Sequence, residues 1–172
     1  PIEYQNHIFD ALMKAGEEFG LGMCGMRAMD SLRIEKNYRM WGQDLTREYS
    51  VFEAGLDRFV HLDKGDFIGR DALIKQKEDG VSQKFVALEI HGIKDADAIG
   101  NEPMFTKDGT IVGRVTAGAY GHWTEKSLAQ GYIQTPHSEI GTELTIDILG
   151  EKYDATIIEE SVYDPENVSL RS

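Results

Sequence analysis

The sequence has a single cysteine and no long apolar run. Cys24 alone cannot close an internal disulfide, and a cysteine-rich zinc site is equally out of reach. A reducing compartment is therefore expected, bacterial cytoplasm or the mitochondrial matrix in a eukaryote. No segment approaches the roughly 20 apolar residues that span a bilayer, and no secretory leader precedes the first helical pattern. Positive charge is also scarce, with 18 Lys and Arg against 30 Asp and Glu and a net charge of −12. So acidic a chain has little with which to displace counterions from phosphates, and an anionic membrane surface repels it; neither nucleic acid nor a membrane is an expected partner. Dinucleotide and phosphate loops and the nucleophile elbow are missing as well. The five histidines (His7, His61, His91, His122 and His137) include no pair at ligand spacing. Asp95, Asp97 and Glu102 lack the alternation and closing glutamate of a calcium loop, so no metal site is expected.

What remains is ordinary globular material. The chain has 172 residues, 41% of them apolar, 28% charged and 9% aromatic. That is enough for a core, in one large domain or two small ones, and it argues against disorder. The first residue is Pro rather than Met, which reads as a processed or excised piece.

The two halves differ in texture. Ile8, Ala11, Leu12, Ala15 and Phe19 fall at helical spacing and Gly20 ends the run. A second helix is expected over Met26–Glu35, with Met26, Met29 and Leu32 on one face, interrupted near Asn37. A third begins near Gly69 and runs into the polar segment Lys75–Gly80, the best domain boundary in the sequence. Beyond it the period changes to that of strands: Phe85–Ile90, Thr110–Ala117, Leu128–Gln134, Leu144–Leu149 and Tyr153–Ile158. Gly150-Glu151 reads as a two-residue hairpin turn with glycine first. Gly100–Pro103 and Lys107–Gly109 read as turns. The fold class is α+β, a mainly helical half followed by a small barrel or sandwich.

Three constellations stand out. Arg33–Gly42 mixes charge and aromatics at a helix end, where an ion-pair network is the favoured reading. Phe52–Phe59 brackets small residues with Glu53 and Arg58, suited either to one end of a ligand or to a structural salt bridge. Thr116–Trp123 reads as a loop between strands carrying Tyr120, His122 and Trp123, aromatics that need a covering surface. Cys24, between Met23 and Gly25, reads as a buried, inert thiol. The residues alone yield no catalytic machinery.

In order along the chain, Met29–Lys36, Trp41-Gly42 and Phe52–Leu56 resemble the folate-binding part of the glycine cleavage T-protein (aminomethyltransferase) superfamily. Asp66–Leu73, Val112–Tyr120 and Ser127–Ile133 continue the likeness over nearly the whole chain. It is nearest to the C-terminal part of dimethylglycine and sarcosine dehydrogenases. The resemblance implies a remnant of the αβ folate-binding domain over residues 1–80 and an antiparallel Greek-key β-barrel over 81–172. It implies tetrahydrofolate as cofactor and one-carbon transfer from an oxidised N-methyl amine, with FAD held by a domain ahead of Pro1. It also implies that the family's catalytic aspartate and pterin-contacting glutamate lie upstream, so this chain carries no catalytic residue and is silent without the missing portion of the same polypeptide. Trp41, Glu53 and Arg58 become cavity-wall residues for folate, faced by Tyr120 and His122. Arg58 stands where the dehydrogenases place an aromatic, and its planar fork suits a folate carboxylate. Met29 replaces the arginine of the glycine cleavage enzymes, and Tyr163 is out of register with their C-terminal tyrosine. The competing readings are a folate-dependent demethylase of another branch, a folate-binding protein serving iron–sulfur clusters, and a non-catalytic docking module.

Overall fold

Alternating apolar residues in the second half close into a barrel. The computed structural model describes residues 1–93 and 95–172. Six strands, β1 (Gln83–Ile90), β2 (Pro103–Phe105), β3 (Ile111–Gly121), β4 (Lys126–Gln134), β5 (Glu143–Ile148) and β6 (Glu151–Ile158), pair antiparallel in the order β1-β4-β3-β2-β5-β6. β1 pairs with both β4 and β6, which removes the open edge that would otherwise invite pairing with another chain. Leu88, Met104, Val115, Ile133, Leu144, Ile146 and Ile157 fill the interior. Together with its helical flank, this barrel makes the chain an α+β protein.

Four details depart from the sequence reading. The hairpin turn is Leu149-Gly150, not Gly150-Glu151. Ile148 continues the inward series of Leu144 and Ile146 and pairs with Glu151. The turn's two residues take φ of 55° and 85°, the pair of left-handed conformations a type I′ turn requires. Second, β3 runs on to Gly121, so most of Thr116–Trp123 is strand and the loop is only His122–Glu125. A bulge between Val115 and Ala117 reverses the inside–outside phase, and that broke the alternation the sequence reading relied on. Third, Pro103–Phe105, read partly as turn, is the short strand β2. Finally, Cys24 is exposed rather than buried; it lies in the irregular segment between two helices, with exposed neighbours on both sides.

The described residues also form four α-helices, α1 (Gln5–Gly16), α2 (Met26–Glu35), α3 (Arg70–Asp79) and the short α4 (Val168–Arg171), besides short 3-10 turns. α2 lies across β3 and β4, where Ile34 packs on Ala117, Ala119 and Leu128. The face of α2 that meets the barrel carries Ser31, Ile34 and Glu35, whereas the apolar face of Met26, Met29 and Leu32 is turned outward. No residue of α1 is buried, and Ile8 and Leu12 are 53% and 61% exposed. A second flanking cluster sets Phe85 and Tyr132 against Ala54, Leu45, Tyr49 and Leu56, with Tyr49 and Tyr132 stacked at 3.5 Å.

Candidate functional site

The outer face of the barrel is joined to the helical half by polar side chains. Asp44 is fully buried. Its Oδ2 accepts from Arg33 Nη1 and from the Met40 N–H, each at 2.8 Å, and its Oδ1 accepts from the Thr116 hydroxyl on β3. The same Arg33 nitrogen reaches Gln130 Oε1 at 3.1 Å and Tyr38 O at 3.0 Å, and Gln130 donates to Asn37 Oδ1 at 2.6 Å. Tyr132 donates its hydroxyl proton to Asp44 O at 2.9 Å. Burial, with the neighbouring Tyr49 adding to it, pushes the Tyr132 phenol well above its ordinary pKa, so it stays a donor.

Two residues beyond Arg33 on α2, Glu35 is also buried. Its Oε1 accepts from the Trp123 and Thr124 N–H groups at 2.9 and 2.8 Å and from the Thr124 hydroxyl at 3.0 Å. This clamps the β3–β4 loop. Lys36 then holds the C-terminal segment, donating to the carbonyls of Tyr163 and Asp164 and pairing with the Asp164 carboxylate at 3.3 Å. Arg33 with Asp30 and Asp44, and Lys36 with Asp164, make ion pairs at this helix end, while Glu35 is held by hydrogen bonds alone.

Beside that network, Met29, Leu32, Tyr38, Trp123, Tyr163 and Leu170 line a mostly apolar groove of about 520 Å³. Trp123 lies edge-on to Tyr163 at 5.7 Å and remains 74% exposed. The groove opens onto the outward face of α2, so this side of the molecule presents a continuous apolar surface with charged groups behind it. Sequence reasoning gave no site role to Asp44, nor to Gln130 within Ser127–Ile133. Long-range pairing finds them, and no local spacing signals it.

The five residues expected to wall a ligand cavity do not converge in this structure. Tyr120 and His122 are together, ring centroids 5.1 Å apart and perpendicular, in a cleft at one end of the barrel. Glu53 borders a different cleft, shared with Lys77 and Lys84. Its carboxylate accepts the Ser50 N–H at 2.8 Å and the Ser82 hydroxyl at 3.5 Å, while the Ser50 hydroxyl accepts the Glu53 N–H at 3.2 Å. This reciprocal arrangement has the form of a capping box. Glu53 also ties its segment to the barrel, its carbonyl accepting the Phe85 N–H at 2.8 Å. Arg58 is exposed, its guanidinium 4.7 Å above the ring of Phe59. Trp41 is 77% exposed. Of the salt bridge and the ligand end weighed for Glu53 and Arg58, no salt bridge between them forms among the described residues.

A closed antiparallel barrel carrying a helical flank by polar clamps, with an apolar face left outward, defines the structural class. Comparison with known proteins supplies the family. The model of the GCVT N-terminal domain matches residues 1–64, and that of the glycine cleavage T-protein C-terminal barrel domain matches residues 83–164. Mitochondrial dimethylglycine dehydrogenase of Mus musculus is 40% identical over 154 residues, covering 89% of this chain and 18% of that protein. The aminomethyltransferase of Symbiobacterium thermophilum is 37% identical over 162 residues, covering 91% of this chain and 41% of that one. The crystal structure of glycine cleavage system aminomethyltransferase T from Bartonella henselae superposes with a TM-score of 0.74 at 26% identity, over 80% of this chain and 38% of that one. The chain belongs to the glycine cleavage T-protein superfamily. It spans about a fifth of the dehydrogenase relatives and about two fifths of the aminomethyltransferases it matches.

Proposed function

We propose that this chain is the folate-facing C-terminal portion of a tetrahydrofolate-dependent aminomethyltransferase-like enzyme of the dimethylglycine or sarcosine dehydrogenase branch. Such an enzyme passes a one-carbon unit from an oxidised N-methyl amine to tetrahydrofolate. The observation that carries the branch is the 40% identity over 154 residues to dimethylglycine dehydrogenase. The reading of the chain as part of a larger unit is supported by its apolar face: Ile8 and Leu12 on α1, and Met26, Met29 and Leu32 on α2, all lie open to solvent. Large apolar side chains left open in this number mark a place where another part of a protein sits. The division after Gly80, helical remnant before and barrel after, is supported by β1 beginning at Gln83. FAD belongs in this proposal to a domain ahead of Pro1. Cytosol or mitochondrial matrix is the proposed setting, the latter supported by the mitochondrial relatives; among the described residues no helix is long and apolar enough to cross a membrane.

The residues present fit one edge of folate. Arg58 has no carboxylate partner among the described residues and offers its planar fork to a folate carboxylate, and the open ring of Trp41 offers a stacking surface. Glu53, engaged by Ser50 and Ser82, shapes the segment that carries Arg58. Tyr120 and His122 complete the proposed wall only if the missing portion closes the distance between the two clefts. Tetrahydrofolate, when bound, supplies the amine nitrogens that accept the one-carbon unit. This chain's own residues orient the tail and exclude water; a positioned acid or base is left to the upstream part.

The test is calorimetry with tetrahydrofolate on the 172-residue chain and on the product of its whole gene. Micromolar binding is expected for the longer product alone, weakened about tenfold by Arg58→Ala, the loss of one charge-assisted pair. Micromolar binding by the 172-residue chain would overturn the incomplete-site reading, and no binding by either would overturn the folate assignment. Flavin absorbance in the longer product supports the dehydrogenase branch. One-carbon transfer without flavin would move the chain to the aminomethyltransferase or demethylase branch, and folate binding without transfer to a binding module.

A further inference from the structure

The sequence holds two Asp-Gly pairs, Asp79-Gly80 and Asp108-Gly109, and the fold holds them differently. In such a pair the glycine nitrogen can attack the aspartate Cγ, because glycine has no Cβ to obstruct it and its backbone bends freely. One carboxyl oxygen leaves as water with the carboxyl proton and the amide proton, and a five-membered succinimide forms. Water then opens the ring. Cleavage of the new bond to Cγ restores aspartate, whereas cleavage of the original peptide bond gives isoaspartate, with the main chain routed through Cβ and Cγ. The overall change is an isomerisation with water as its only co-reactant.

Asp79 is open to this reaction. It is the last residue of α3, and both it and Gly80 are exposed. No residue of α3 is buried, and none of its side chains joins a core cluster. A helix of 10 residues without tertiary packing is marginal and frays from its ends. Beyond the last rung of the α3 ladder, the Gly80 N–H has no acceptor among the described residues. The Asp79 carboxylate makes no hydrogen bond or ion pair among them. Nothing lies within 4 Å of where a Cβ on Gly80 would stand, which leaves room for the ring.

Asp108 is tied down at both reacting ends. Asp108-Gly109 is also exposed, in the turn between β2 and β3. The Gly109 N–H donates to Thr106 O at 2.9 Å. Asp108 Oδ1 accepts the Thr106 hydroxyl and, at 3.3 Å, the Thr110 N–H. The Thr106 hydroxyl and then Thr110 hold the Asp108 carboxyl below its ordinary 3.8, in the ionised form that sheds an oxygen poorly.

We propose that Asp79 is a site of spontaneous isoaspartate formation in the native chain, and that Asp108 is protected from it. The change inserts one carbon into the main chain between the helical half and the barrel. The barrel side of that junction is anchored: Val81 O accepts the Thr135 hydroxyl at 2.6 Å, and Ser82 O accepts the Thr135 N–H at 3.0 Å. The α3 side has no such anchor, so the modification loosens α3 and spares β1.

The experiment ages the 172-residue chain at neutral pH and physiological temperature, native and in urea, and reads isoaspartate at both positions by electron-transfer mass spectrometry of its peptides. In the native chain, isoaspartate is expected to form at residue 79 roughly tenfold or more faster than at residue 108, where two hydrogen bonds must open before the ring can close. In urea the two rates should converge. Thr106→Ala should quicken the reaction at residue 108 roughly threefold and leave residue 79 unchanged, since it removes one of the bonds that hold Asp108. Hydrogen exchange of the aged chain should quicken over α3 and stay unchanged over β1. Equal native rates at the two sites, a difference that persists in urea, or isoaspartate at residue 79 in urea alone would each overturn the proposal. Faster exchange over β1 would overturn the claim that the barrel is spared.

Discussion

Asp44 is the residue whose loss should cost the fold most. Removing its carboxylate in Asp44→Ala leaves the Arg33 guanidinium, whose side chain is 10% exposed, without its closest anion. It also strips the Met40 N–H and the Thr116 hydroxyl of their acceptor. Breaking a buried ion pair by removing one partner costs about 3–5 kcal/mol, out of a total stability for a chain of this kind of about 5–15 kcal/mol. At about 2–4 °C per kcal/mol for a domain of this size, the thermal midpoint should fall by roughly 6–20 °C. Asp44→Asn, with its single oxygen in the Oδ2 position, keeps an acceptor for Arg33 and Met40, turns its NH2 toward the Thr116 hydroxyl and loses the charge facing Arg33, so its cost should be nearer about 2 kcal/mol. The double variant Arg33→Met/Asp44→Leu removes both charges and should recover most of the loss, since the desolvation penalty of the pair disappears with it. Urea unfolding followed by far-ultraviolet circular dichroism, with unchanged slope across the series, measures all three. If Asp44→Ala costs under about 1 kcal/mol, or if the double variant is less stable than Asp44→Ala, the claim that this network locks the two halves together is wrong.

Glu35→Ala should destabilise by about 2–4 kcal/mol, because it leaves three donors of the β3–β4 loop without an acceptor, and hydrogen exchange at Trp123 and Thr124 should accelerate before that of β1. Gly131→Ala should cost about 3 kcal/mol in a thermal melt, since its new methyl would lie 2.3 Å from the Arg114 carbonyl and 2.9 Å from the Val115 Cα, backbone atoms that cannot step aside. Acid should release the C-terminal segment. Burial works to raise the pKa of Asp164, but the N–H groups of Ser169 and Val168 and the Lys36 ammonium outweigh it and hold the pKa below the ordinary 3.8. A depressed carboxylate stabilises fully above its unfolded value, so the contribution of Asp164 is complete above 3.8 and disappears as pH falls through the folded value. Trp123 fluorescence should report that step, and Asp164→Asn should remove it.

The strands of the second half were legible because a closed barrel with a filled interior enforces period-two alternation, as in Leu144, Ile146 and Ile148. Legibility failed where that rule was broken. The bulge at Thr116 hid the last third of β3, and three residues of β2 are too few to show a period. The helices were legible by spacing, yet the direction of their apolar faces was not. Met26, Met29 and Leu32 were expected on one face, and the structure turns that face outward, because spacing reports that a face is apolar and says nothing of what covers it. Among the candidate site residues, the Tyr120–His122 pair could be read from one short segment. Bringing them near Trp41 or Arg58 depends on long-range packing that no local motif encodes.

The chemistry of α2 accounts for that outward face. A helix that buried Met26, Met29 and Leu32 against the barrel would have nothing apolar left to offer elsewhere. Here the contact is made by Ile34 together with Ser31, whose hydroxyl donates to Tyr120 O at 2.6 Å, and by Arg33 and Glu35. Hydrogen-bonded pairs are directional, so they fix the rotation of α2 about its axis where apolar packing alone would permit several. The rotation they fix is the one that sends the methionines outward. Polar residues at the seam thus leave the apolar face of α2 open, and disrupting the seam should disorder that face even though none of its own residues is altered. A variant such as Glu35→Ala should therefore increase binding of a hydrophobic dye while the barrel strands keep their exchange protection; equal loss of protection in β1 and α2 would show that seam and barrel melt as one unit.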